Sequence, residues 1–78
     1  MLDLIEIKRI GETIEAKYRP ENSDEEGFIK IDAEGKVLEK RETSYDKLMG
    51  TYFHKAYLKL MEFSKKKDIP EKYCMVWY

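Results

Sequence analysis

"FIKIDAEGKVLEK", residues 28–40, is the stretch that commits this chain to an antiparallel sheet. Apolar and charged residues surround a short polar step that ends in glycine. Asp32-Ala33-Glu34-Gly35 suits a type I turn followed by a left-handed residue, a position glycine takes without steric cost. That turn fixes the register. Asp32 falls across from Lys36 and Ile31 across from Val37, so an oppositely charged pair lies beside an apolar one.

Working upstream, "LIEIKRIGETIEAKYRP" (residues 4–20) predicts two more strands around a turn at Gly11. Ile14, Ala16 and Tyr18 alternate with Glu15, Lys17 and Arg19, the period of two of a half-buried strand. The first strand is less regular. Plain alternation puts Ile5 and Ile7 on one face and Leu4 and Ile10 on the other, unless a bulge shifts the phase. Pro20 ends the second strand because it cannot donate a ladder hydrogen bond. "ENSDEEG" then forms a polar loop.

Working downstream, residues 43–68 carry a helical pattern. Apolar pairs recur every four residues at Leu48/Met49, Tyr52/Phe53, Ala56/Tyr57 and Leu60/Met61, a broad stripe facing a core. Lys47, Lys55, Lys59 and Lys66 lie outward or at its edge. Thr43 and Asp46 have capping-box spacing, and Gly50 weakens the first turns, so the regular helix is expected to begin at Thr51. Asp68 and Pro70 are expected to stop it. "KYCMVWY" (residues 72–78) has strand composition. Four strands alternating in direction, a helix and a final strand give a ββββαβ, α+β domain over residues 1–78. Its sheet is five-stranded and mainly antiparallel, in the order 5-1-2-3-4, with one long helix on one face.

Composition limits the functions on offer. The chain has 78 residues, 42% apolar and 40% charged, with 15 basic against 16 acidic side chains. It has ample material for a small core and almost no net charge, so no overall field draws in nucleic acid or anionic lipid. Residues 1–46 carry 8 basic and 13 acidic side chains, and residues 47–78 carry 7 and 3. A solvated acidic loop and cations near a helix C-terminus account for that asymmetry. The single Cys, the lack of a leader-like N-terminus and the lack of a long apolar run predict a soluble cytoplasmic protein without a membrane span.

No enzyme motif is present. The four glycines are isolated, and no nucleophile elbow, zinc-protease helix or paired-cysteine motif occurs. One His and one Cys are too few for a zinc site, and no cofactor is expected. A Cys74–His54 couple is the sharpest catalytic idea, but any chain with one of each would offer it. Base stacking on sheet aromatics (Tyr18, Phe28, Tyr73, Trp77) meets acidic residues as densely placed as basic ones, which weakens nucleic-acid binding. A cleft between helix and sheet, with Tyr52, His54 and Tyr57 offering hydrogen bonds, is a more remote ligand site.

Protein contact remains. A sheet with one helix leaves a face uncovered, and aromatic residues with Met on such a face characterise interface cores. The expectation is a non-catalytic interaction module that binds itself or another protein. It would use the helix-free sheet face, through Tyr18, Phe28, Tyr73, Met75 and Trp77, or an edge strand.

Overall fold

The computed structural model describes residues 2–20, 24–44, 46 and 51–75. Strands β1 (Leu2–Ile10), β2 (Thr13–Pro20), β3 (Gly27–Ile31) and β4 (Val37–Arg41) precede helix α1 (Thr51–Ser64) and strand β5 (Tyr73–Met75). They form one antiparallel sheet in the order β4-β3-β2-β1-β5, with α1 packed against one face. The predicted strand order is the observed one. In the final predicted strand, Val76, Trp77 and Tyr78 lie outside the described residues, as do Leu48, Met49 and Gly50 before the helix.

Strand alternation builds the core. Ile14, Ala16 and Tyr18 from β2 and Ile29 and Ile31 from β3 point to the helix side, where Ala56, Leu60 and Phe63 meet them. Leu2, Leu4 and Ile7 complete the layer from β1. Plain alternation would separate Leu4 from Ile7. A bulge between Ile5 and Lys8 unites them, since Glu6 and Ile7 together oppose only Ala16 of β2. The extra residue is Glu6, whose φ of 50° lies in the left-handed region. Burial of Ile7 offsets the cost of holding a non-glycine residue there.

The β3–β4 turn forms as its residues require. Gly35 has a φ of 89°, its N–H donates to the Asp32 carbonyl at 3.0 Å, and Ile31 pairs with Val37. The Asp32 carboxylate accepts the N–H groups of Glu34 and Lys36, each at 2.9 Å, so it locks the turn from within. The turn also docks on the helix. Tyr57 donates its hydroxyl hydrogen to the Gly35 carbonyl at 2.7 Å, and Met61 occupies the space a side chain at Gly35 would need.

Helix α1 is described from Thr51, next to residues 47–50 that lie outside the described ones, and ends at Ser64, earlier than the predicted stop at Asp68. Its last carbonyls are taken by tighter bonds from Lys65 to Glu62 and from Lys66 to Phe63, and by Arg9 of β1. Arg9 Nη2 donates to the carbonyls of Phe63, Ser64 and Lys66 at 3.3, 3.2 and 2.9 Å. Leaving the helix early lets the chain turn back, seat Ile69 against the core and lay β5 beside β1.

Candidate interaction surface

Register decides which side chains are available for contact, and it divides the five predicted contact residues. Tyr18 stands opposite Leu4 and Gly27 on the core side and is fully buried. Its ring lies over Gly27, where a Cβ would come within 2.2 Å of ring carbons. Tyr18 therefore belongs to the core and is withdrawn from the contact surface. In β5, Tyr73 pairs with Leu4 and Met75 with Leu2, so both also point to the helix side. Tyr73 packs edge-on against Phe63, at 5.4 Å between centroids, and lies under the Lys59 ammonium at 5.0 Å. Met75 packs half-buried against the core. Large apolar residues follow the core, and Cys74 is left opposite Asp3 on the other face. Trp77 lies outside the described residues. Of the five, only Phe28 is placed on the helix-free face.

Among the described residues that face carries Ile5, the exposed Ile10 and Phe28 amid many charges. Asp3, Lys8, Glu15, Lys17, Arg19 and Lys30 lie on it too, and ion pairs tie most of them to neighbours. Lys8 meets Glu15 at 3.9 Å, Lys17 meets Glu6 at 2.9 Å and Arg19 meets Glu26 at 2.5 Å. Lys17, through a hydrogen bond and then through its charge, holds the Glu6 carboxyl below its ordinary value, and Glu6 holds Lys17 above its own. A surface whose charges are already matched to one another offers little to an apolar partner. The picture of a ring-rich flat face is corrected for the described residues, which place one ring, Phe28, on it.

The edges differ from the face. In β4 all five residues are exposed, including Val37 at 36% and Leu38 at 45%. The helix packs mainly over β2, β3 and β1, leaving β4 largely bare. A register shift places Leu38 as an extra residue between Val37, which opposes Ile31, and Glu39, which opposes Lys30. Lys40 opposes Ile29 on the helix side, its ammonium 5.4 Å from the Phe53 ring centre and 3.4 Å from Glu42. Arg41 opposes Phe28 on the open side. Neither Glu39 nor Arg41 joins an ion pair among the described residues. The sequence does carry a sign of this. "VLEKRE" lacks the in-and-out alternation of the second strand, as a strand uncovered on both faces would.

Among the described residues one carboxylate is buried, and it lies near the first turn of α1. Asp46, 5% exposed, accepts the Tyr18 hydroxyl at 2.6 Å and the Thr43 N–H and hydroxyl at 3.0 and 2.9 Å, all on Oδ2. Its Oδ1 accepts the Phe53 N–H at 2.6 Å. Burial alone would raise the Asp46 carboxyl, but these four bonds outweigh it and hold the group below its ordinary value. Burial first, then the bond to Asp46, raises the Tyr18 phenol far above its own. Every bond on this carboxylate is structural, and the site is closed to solvent.

Other candidate groups lie apart. Cys74 is exposed on the helix-free side, whereas His54 is exposed on the helix beyond the opposite face. The sheet stands between them. Tyr57 directs its hydroxyl to Gly35 while His54 points to solvent, so Tyr52, His54 and Tyr57 do not converge on one point. Open grooves occur elsewhere, among them one of about 370 Å³ along the β1–β5 seam from Asp3 to Cys74 and one of about 220 Å³ around Arg9, Thr13 and Asp32. No group of three or more His, Cys, Asp or Glu among the described residues could hold a metal ion, and no helix among them is long and apolar enough to cross a membrane. Compared with known proteins, the chain matches no family model, no curated protein and no solved structure.

Proposed function

We propose that this chain is a small non-catalytic protein-interaction module that associates with itself through the edge strand β4. The observation that carries this reading is the bareness of β4. All five of its residues are exposed, two of them large and apolar, and its outer backbone edge has no neighbouring strand among the described residues. An unpaired strand edge is a template for another strand, with backbone bonds supplying affinity and alternate side chains supplying selectivity. Charges and a bulge on such an edge deter indiscriminate pairing, so the partner has to match them. At the opposite edge, β5, the Tyr73 ring is engaged with Phe63 and Lys59. The charge balance and the internally paired open face count against nucleic acid as the partner. A chain with one cysteine, which can form no internal disulfide, suits the reducing cytoplasm.

Sedimentation equilibrium over a concentration series tests the proposal. A monomer–dimer equilibrium is expected, and Leu38→Glu should shift it towards monomer while the isolated chain stays folded. A wild-type chain that stays monomeric at every concentration would remove self-association through β4.

A further inference from the structure

Resting on the reading of β4 as the contact strand, we infer the geometry of the pair: two copies join β4 to β4, antiparallel, about a two-fold axis at Lys40, with each Glu39 facing the other copy's Arg41. Symmetry narrows the choices. A two-fold relation between antiparallel strands runs perpendicular to the sheet and passes beside one residue and its own copy. Residues brought opposite one another then share a face, and both helices lie on the same side of a continuous ten-stranded sheet.

Charge selects among the possible centres. An axis at Glu39 sets two carboxylates directly against each other and creates no attractive pair, which opposes association. An axis at Leu38 brings Lys36 against Lys40. An axis at Arg41 faces two guanidinium groups and brings no other two residues of β4 opposite one another. An axis at Lys40 creates two Glu39–Arg41 pairs on the helix-free side. These are the β4 charges on that face, and neither has an ion-pair partner in its own chain among the described residues.

The cost of this arrangement is Lys40 opposite Lys40. The structure already lessens it. Each ammonium is held back over its own Phe53 ring, 5.4 Å from the centre, and lies 3.4 Å from its own Glu42 carboxylate. Both interactions turn the charge away from the axis and partly neutralise it.

Charge reversal tests the register. Glu39→Arg alone and Arg41→Glu alone should each weaken self-association by about tenfold or more, because two attractive pairs become repulsive. An equimolar mixture of the two variants should recover it as a heterodimer. A second readout uses cysteine in a Cys74→Ser background. Lys40→Cys should form a disulfide-linked dimer on mild oxidation, and Glu39→Cys alone should not. Circular dichroism melts confirm that each variant is folded, which surface substitutions at this strand should leave intact. A dimer indifferent to both reversals, or crosslinked through Glu39→Cys and not Lys40→Cys, overturns this register while leaving β4 contact standing. A wild-type chain monomeric throughout overturns both.

Discussion

Asp46 concentrates more structural consequence than any other single residue. Its carboxylate joins β2 through Tyr18, the segment after β4 through Thr43 and the first turn of α1 through Phe53. Asp46→Ala would leave the buried Tyr18 hydroxyl and two backbone N–H groups without acceptors. The expected cost is about 3 kcal/mol or more, a large part of the roughly 4–12 kcal/mol a domain of this size commands. Tyr18→Phe should cost less, about 1–2 kcal/mol, because three donors remain on the carboxylate. Urea denaturation monitored by circular dichroism compares the two. The pH dependence has a defined sign. The folded state holds Asp46 below its ordinary value of 3.8, so the unfolded chain takes up its proton first as pH falls. The stabilisation is present above that value and is lost as pH drops through the lower folded-state value. Glu6 and Glu62, lowered by hydrogen bonds to Lys17 and Lys59, act in the same direction. The test is therefore the difference between wild type and Asp46→Asn, which should shrink on acidification; a constant difference would contradict it. The Thr43–Asp46 spacing was legible in sequence as a cap. The Tyr18 contact was not, because it spans 28 positions and depends on which face of β2 meets the helix.

At the scale of elements, helix α1 is notable for what its own residues lack. Its first turn has no acidic residue and its last turn no basic one, so it does nothing itself to offset its dipole. Charges from outside do so at both ends. The Asp46 carboxylate accepts the Phe53 N–H near the N-terminus, and the Arg9 guanidinium covers the carbonyls of Phe63, Ser64 and Lys66 at the C-terminus. Helix formation is thereby coupled to assembly of the sheet. Arg9→Met keeps much of the aliphatic stem and removes the donors. It should destabilise the fold by about 1 kcal/mol and speed hydrogen exchange selectively over residues 62–66. Uniform exchange changes along the chain would argue against capping. The body of the helix could be read from the apolar stripe. Its end at Ser64 could not, because the lysines that follow are good helix formers and the terminating contact comes from β1. Likewise, the apolar residues of β1 signalled a phase problem, but only packing under the helix selected the bulge at Glu6 and Ile7.

For the whole molecule, two classes of charge contact respond differently to salt. The pairs on the helix-free face join partly exposed groups and contribute little to folding. Raising sodium chloride from about 50 to about 500 mM should therefore move the melting temperature of the monomer by less than about 5 °C. Self-association through Glu39–Arg41 pairs should weaken over the same range, because those charges become attractive only across the interface. Thermal melts at low concentration and sedimentation at high concentration separate the two responses. Association that strengthens with salt would point to an apolar contact through Val37 and Leu38 instead.

Strand number, direction and order, the β3–β4 turn and the position of the helix could be read directly from the sequence. Each rests on short-range chemistry: period-two alternation, glycine at a left-handed position, proline at a strand end and a four-residue apolar repeat. The contact surface could not be read in this way. Alternation shows that Tyr73 and Met75 share a face with each other, but not that this face meets Leu4 and Leu2 under the helix. It shows that Tyr18 alternates with charged neighbours, but not that its hydroxyl reaches a buried carboxylate. Those outcomes depend on strand register and on which sheet face the helix covers, and both are set by burying the most apolar area against one layer. That choice is made jointly by residues far apart in the chain, so only the folded molecule reveals it.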